Sequence, residues 1–432
     1  MDISKRIQIK HSNITEYESS VTSPVNIAVI KYWGKRNSEL ILPTNSSLSC
    51  TLSQDHLNTK TTIRASPKFN TDRLWLNGVE EKISASTRLT NCINKARELR
   101  KQLENALEDQ EENTSEKPLS KWKIHIASEN NFPTAAGLAS SASGYAALVQ
   151  ALANLYELPL NQTELSKIAR IGSGSACRSM FGGFVAWRAG VDPNGEDSYA
   201  ECVAPESHWP DLHALILVVS DAKKGTSSTS GMSTTVKTSE LFPMRIEKVV
   251  PERMKKMEEA IKNRDFNSFA ILTMKDSNQF HSVCLDTYPP IFYMNDISRG
   301  IVHLVHAFNE QKDSTTGKPL GIRAAYTFDA GPNAVIYAEK QHIRELVRIF
   351  MHFFPPATTQ PASTYFPDPF GVLQSESDDG INVEKAYKGI VPRFDPGSVR
   401  RIIHTCVGEG PRSAPPSVSL LNESGMPKRV KD

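Results

Sequence analysis

Around residue 124 the chain alternates, with Trp122, Ile124 and Ile126 apolar and Lys121, Lys123 and His125 polar. That period of two predicts a strand with one buried face. From Tyr145 to Leu155 almost every residue is apolar, which predicts a buried helix. Upstream, Leu89, Ile93, Ala96, Leu99, Leu103 and Leu107 recur every three or four residues, a long amphipathic helix over Thr87–Leu107. It runs into Glu108–Lys117, charged and poor in apolar residues, and so an exposed loop. In the second half, Ala214–Val219 is continuously apolar and reads as a strand. Met254–Met274 has helical spacing, Ile301–Phe308 gives another helix, and Ile322–Phe328 and Ala334–Tyr337 read as paired strands. Strands and helices in this irregular order predict an α+β fold.

Asp192-Pro193-Asn194-Gly195, Pro205 and Pro210 interrupt regular structure between the two halves. With 432 residues, this suggests two domains, 1–205 and 206–432. Pro355–Gly380, rich in Pro, Ser, Thr and Asp, is expected to be a surface excursion rather than core. No internal repeat is visible.

Charge removes one class of function. Fifty basic residues stand against 48 acidic ones, a net charge of +2, with no basic cluster of the kind a nucleic-acid-binding face needs. The six cysteines show no Cys-x-x-Cys spacing, so neither a zinc site nor a disulfide framework is indicated, and reduced thiols are expected. The first 20 residues are polar and nothing resembles a signal peptide or a membrane span, so a soluble cytoplasmic protein without membrane insertion is expected.

The candidate chemistry begins between the first strand and the helix. Pro133-Thr-Ala-Ala-Gly-Leu-Ala-Ser-Ser-Ala-Ser-Gly144 is built almost wholly of small residues. At a helix N-terminus, free N–H groups and the dipole favour a phosphate, and Gly137, Ser140, Ser141 and Ser143 add clearance and hydroxyls. A plain Ala/Ser loop capping a helix is the alternative. The run is not a P-loop, having no terminal Gly-Lys-Ser/Thr, and its glycine spacing is not that of a dinucleotide fingerprint.

Pro133–Ala142 resembles the second motif of the GHMP small-molecule kinases. Together with Lys31-Tyr-Trp-Gly-Lys-Arg36, Leu42-Pro-Thr-Asn-Ser-Ser47, Glu129-Asn-Asn-Phe132, Gly172-Ser-Gly-Ser-Ala-Cys-Arg178 and Phe328-Asp-Ala-Gly-Pro-Asn-Ala334, it resembles the diphosphomevalonate decarboxylases of that superfamily. The likeness runs from about Val21 to Ala338, resumes weakly near Val407–Pro411, and is closest to fungal and animal members. It implies an N-terminal domain like domain 2 of a ribosomal S5 protein and a ferredoxin-like C-terminal domain. It also implies ATP-dependent decarboxylation of diphosphomevalonate to isopentenyl diphosphate, with ATP and Mg²⁺, in a homodimer.

The same likeness assigns roles. Asp329 would orient a tertiary hydroxyl and take its proton, whereas on local grounds alone Asp-x-Gly-Pro more often starts a turn. Lys31 would sit beside it, the alternative being a surface lysine at a strand end. Arg178 would grip the substrate carboxylate with its planar fork. Ser173, Gly174, Ser175, Ala176 and Cys177 would line the substrate, with Cys177 better read as packing than as a nucleophile. Tyr32, Trp33, Gly34, Lys35, Arg88 and Thr229 fall where the family holds the diphosphate, although Tyr32 and Trp33 equally suit a core. Arg88 opens a helix, where the dipole disfavours a cation without an anion nearby. Thr229 lies in Gly225–Gly231, which reads as a mobile loop or lid. Ala136, Gly137, Leu138, Ala139, Ser140, Ser141 and Ser143 would hold ATP. The metal ligands are not fixed, with Ser140 or Ser141 a candidate hydroxyl. His281 is near the substrate if the fold is right, yet a lone His is usually structural. A true GHMP kinase would lack the Lys31–Lys35 motif and Arg178, and a non-catalytic sensor would have no need of Asp329, Lys31 and Arg178.

Overall fold

The computed structural model describes residues 16–108, 118–132, 140–220, 225–313, 315–374 and 382–430. Strands Tyr17–Pro24, Asn58–Ser66 and Lys123–Asn130 form the middle of a six-stranded sheet, flanked by Arg73–Leu76 and Val79–Glu81 on one side and Arg412–Ala414 on the other. A second sheet runs in the order Ala200–Ala204, Phe184–Trp187, Ser47–Thr51, Asn26–Ile30. A third, Ala324–Phe328, Ala334–Glu339, Leu212–Val218, Arg401–Cys406, is antiparallel throughout. Its strand Leu212–Val218 is buried along its whole length, which is why the sequence shows a continuous apolar run there instead of an alternation.

The Ser140–Leu155 helix lies on strands Tyr17–Pro24 and Asn58–Ser66, and its alanines allow that close approach. Thr87–Glu108 forms the expected amphipathic helix, burying Leu89, Cys92, Ile93, Ala96 and Leu103. The Phe266–Leu285 helix packs against both Ala324–Phe328 and Asn26–Ile30, so it touches two sheets at once.

Several expectations are corrected. The helical pattern over Met254–Met274 belongs to two helices, Val250–Asn263 and Phe266–Leu285, separated by Arg264 in the left-handed region (φ 53°) with Asp265 capping the second. The stretch 355–374 is not merely a surface excursion, while 375–380 lie outside the described residues. Tyr365 and Phe366 insert into the largest apolar core, and Phe370 packs on His213 and His404. The polar face of the Lys123–Asn130 strand is also covered: His125 stacks on Phe69 at 3.7 Å and bonds the Gly425 carbonyl at 2.8 Å, so the C-terminal segment lies over it. Segment 108–117 was expected to be an exposed loop, and its residues 109–117 lie outside the described residues.

Candidate active site

A cleft of about 380 Å³ opens where the second and third sheets meet the Ser140–Leu155 helix. Among the described residues four cations line it, Lys31, Lys35, Arg88 and Arg178, against one carboxylate, Asp329. The hydroxyls of Ser140, Ser141, Ser173, Ser175, Ser227, Ser228 and Thr229 complete its polar wall. That imbalance, on groups mostly withdrawn from water, suits a ligand carrying several negative charges.

Lys31 leaves the end of the Asn26–Ile30 strand and Asp329 the end of Ala324–Phe328. Lys31 is no surface lysine: it is 2% exposed, and its Nζ donates to Asp329 Oδ1 at 2.6 Å. Asp329 itself stays partly open to the cleft, and among the described residues its Oδ2 has no side-chain partner. The turn behind it closes with the Gly331 amide donating to the Asp329 carbonyl.

Behind Lys31 lies a network that the sequence did not reveal. Asp276, wholly buried, accepts from the Lys31 amide at 2.7 Å, from both Arg245 Nη atoms at 2.9 and 3.0 Å, and from Arg253 at 2.9 Å. Burial pushes its carboxyl up, and the two guanidiniums more than offset this, holding it below the ordinary value. Breaking such a buried pair costs about 3–5 kcal/mol. A carboxylate on the apolar face of a helix, between Thr273 and Phe280, is the signal that could have found it.

Arg178 is 3% exposed, and among the described residues its acceptors are neutral: Nε donates to Asn26 Oδ1 and Ser49 Oγ at 3.2 and 3.0 Å, and Nη1 to Ser47 Oγ at 2.6 Å. Burial lowers its pKa from the ordinary arginine value, and the Cys177 thiol and Asp329 act against that. Because Nε is already committed, an incoming carboxylate would meet the Nη1–Nη2 end.

Other expected residues divide between cleft and packing. Ser173, Gly174 and Ser175 line the cleft, and a side chain at Gly174 would strike Trp187 and Tyr32. Ala176 and Cys177 are fully buried, and burial pushes the Cys177 thiol up to about 12, which removes it as a nucleophile. Tyr32 lines the cleft with its hydroxyl buried and, among the described residues, without a hydrogen-bond partner, and burial raises its pKa. Trp33 is largely core, bonded to Thr235 and packed edge-on to Phe280, with one edge on the cleft. Gly34 (φ 86°) lets Phe242 and Thr44 approach too closely for any side chain. Lys35 and Arg88 share the cleft wall, and Arg88 Nη2 meets Thr229 Oγ1 at 3.3 Å. Thr229 is in the first turn of the Ser228–Thr238 helix, capped by Ser227, rather than in a mobile loop. His281 is 9% exposed, and burial pushes it down to about 4; it lies beside Phe280, Tyr293 and Phe328, and its Nε2 has no partner among the described residues.

Of the residues expected to hold ATP, Ala136, Gly137, Leu138 and Ala139 lie outside the described residues. Ser140 and Ser141 line the cleft, and Ser141 Oγ is 3.3 Å from Ser173 Oγ. Ser143 is turned away into the fold, bonding Thr59 Oγ1 at 2.6 Å. The same two serines also border a second cavity of about 480 Å³, lined by Leu74, Ala85, Ser86, Leu89, Tyr145 and Leu148 among others. Its lining comes from strands, a 3₁₀ turn and two helices far apart in sequence, and sequence reasoning missed it. Among the described residues no three His, Cys, Asp or Glu side chains gather as a metal site.

Residues 23–200 match the family profile described as the diphosphomevalonate decarboxylase-like N-terminal domain, and residues 214–414 the one described as the mevalonate 5-diphosphate decarboxylase C-terminal domain. The chain belongs to the diphosphomevalonate decarboxylase family. A family member from Ganoderma lucidum is 55% identical over 412 residues, covering 95% of this chain and 99% of its own. A mevalonate 5-diphosphate decarboxylase crystal structure superposes with a TM-score of 0.78 at 46% identity, covering 94% of this chain and 99% of that one. A more distant decarboxylase structure, in complex with MVAPP, AMPPCP and magnesium, is 28% identical with a TM-score of 0.67, covering 92% of this chain and 99% of that one. The fold is the two-domain α+β fold of the GHMP kinases, and the chain is an enzyme of the decarboxylase family. Among the described residues no helix is long and apolar enough to cross a membrane.

Proposed function

We propose that the cleft carries the family reaction in this chain: (R)-5-diphosphomevalonate and ATP give isopentenyl diphosphate, ADP, phosphate and carbon dioxide. The observation that carries this reading is the cleft itself, which among the described residues sets four cations around a single carboxylate whose Oδ1 is already held by Lys31.

Lys35 and Arg88 take the substrate diphosphate, assisted by Thr229. With Oδ1 held, Asp329 offers Oδ2 to the tertiary hydroxyl, orients it, and accepts its proton late as the γ-phosphoryl group transfers. Lys31 holds Asp329 in place through its 2.6 Å contact with Oδ1. The installed phosphate then departs with its bonding pair, positive charge develops on carbon three, and the C–CO₂ bond breaks to supply the new double bond. Arg178 holds the carboxylate so that this bond lies along the departing C–O direction. Pairing also stabilises a ground-state charge that disappears on decarboxylation, so its contribution is alignment rather than charge stabilisation.

ATP lies with its phosphates at Ser140 and Ser141 and its nucleoside in the 480 Å³ cavity, whose apolar walls fit a purine. Magnesium suits the donors here: the hydroxyls of Ser140 and Ser141 are hard oxygen ligands, and the phosphates and water supply the rest. When bound, it would neutralise charge on the transferring phosphoryl group. By family likeness the chain is also read as a cytoplasmic homodimer, which a monomer mass in light scattering would refute.

The deciding experiment supplies carboxyl-labelled diphosphomevalonate with ATP and Mg²⁺ and counts labelled carbon dioxide against ADP. Equal amounts support the decarboxylase. ADP without carbon dioxide would make the protein a kinase, and neither product would leave a ligand sensor.

A further inference from the structure

Lys31 and Asp329 lie 298 residues apart in sequence and end strands of different sheets, yet two adjacent residues of one helix hold both. On Phe266–Leu285, Asp276 Oδ2 accepts the Lys31 amide at 2.7 Å. Ser277 Oγ accepts the amide of Phe328, the residue before Asp329, at 3.0 Å. Both side chains are essentially withdrawn from solvent, at 0% and 1% exposure. Arg245, held by Asp276, closes the other side by donating to the Lys31 carbonyl at 3.2 Å, where Asn45 also donates at 3.0 Å. Neighbouring positions on a helix have a fixed separation, about 1.5 Å of axial rise. The helix therefore sets where the two strand ends stand relative to each other, and with them the 2.6 Å contact between Nζ and Oδ1.

We propose that Ser277 is a positioning residue for the reaction, acting with Asp276 to register Asp329 against Lys31 through the main chain. This rests on the reading that the Lys31–Asp329 pair serves the chemistry. Asp276 is the poorer probe, because its loss strands the fully buried Arg245 guanidinium, together with the partly exposed Arg253, and threatens folding. Ser277 makes a single neutral hydrogen bond to the strand, and its removal leaves the ion pairs intact.

The test uses the full chain as Ser277→Ala, Ser277→Thr, Lys31→Met and the Ser277→Ala/Lys31→Met double variant, with steady-state and single-turnover carbon dioxide release. A misplaced reacting group costs rate rather than affinity, so Ser277→Ala is expected to lose about tenfold or more in kcat with both KM values within about twofold. Ser277→Thr, which keeps the hydroxyl, recovers most of that loss. Added to Lys31→Met, Ser277→Ala costs no further factor, because the register it protects no longer has a lysine to serve. The proposal is overturned by an unchanged kcat in Ser277→Ala, by a threonine variant as slow as the alanine one, or by the same factor lost in both backgrounds. Lys31→Met turning over at the parent rate would instead overturn the reading of the pair itself.

Discussion

Lys35 and Arg88 face the same cleft without a carboxylate partner for either among the described residues, and this leaves a mark on Lys35. Burial, and then the Arg88 guanidinium, push the Lys35 ammonium down to about 8. The charge is present below that pH and lost above it. The KM for diphosphomevalonate should therefore rise between about pH 7 and 9, with the KM for ATP changing less. Lys35→Arg, which stays charged, should flatten the profile, and an unchanged profile in that variant would remove Lys35 from the diphosphate site. The folded state binds this proton less well than the unfolded chain does. Stability without substrate should accordingly rise as pH climbs from about 8 towards the ordinary lysine value.

Among the described residues Asp329 is the single carboxylate lining a cleft that must accept phosphates, so removing it takes away a reacting group without removing any described phosphate donor. Asp329→Ala should nearly abolish turnover and leave ATP affinity within a few-fold. Isothermal titration with ATP beside a single-turnover assay separates the two effects. An equal collapse of nucleotide affinity would place Asp329 in binding instead of proton transfer.

What the sequence showed and hid follows from how local each signal is. The strand entering at Lys123, the long helix from Thr87 and the apolar Leu212–Val218 strand are written in short-range periodicity and were legible. Lys31, Asp329 and Arg178 stood out through motif likeness, because nothing local distinguishes a buried lysine from an exposed one. Asp276 and Arg245 were missed because their pairing spans 31 residues, and the one local sign of it is that Asp276 falls on the apolar face of its helix. Tyr365 and Phe366 were lost in a proline-rich context, although two adjacent aromatics there have no reason to face water. Thr229 looked mobile because Ser and Thr suit loops, while the same preference makes Ser227 a helix cap.

The second cavity makes a prediction that separates the two substrates. Ala85 sits on its rim in a short 3₁₀ turn and is exposed, so a larger side chain there fills the cavity without invading the core. Ala85→Trp should raise the KM for ATP about tenfold or more while leaving that for diphosphomevalonate within about twofold. Steady-state kinetics with each substrate varied in turn checks it. Equal loss for both, or for neither, would mean that the nucleoside lies elsewhere.

Arg178 gives the sharpest test of orientation against charge. It is buried among Asn26, Ser47 and Ser49, all three of them neutral acceptors, and Asp329 acts on its charge through space. Lysine at this position keeps the charge but loses the fork and the Nε bonds that aim it. If alignment of the scissile bond is what Arg178 supplies, Arg178→Lys should slow carbon dioxide release by about a hundredfold, with the thermal midpoint much less affected. The transfer of phosphate from ATP, which precedes loss of the carboxylate, should suffer less, so ADP should run ahead of carbon dioxide in a rapid-quench experiment. If ADP and carbon dioxide fall together, Arg178 governs substrate placement for both steps. If neither falls, a point charge suffices and the planar fork has no part in the chemistry.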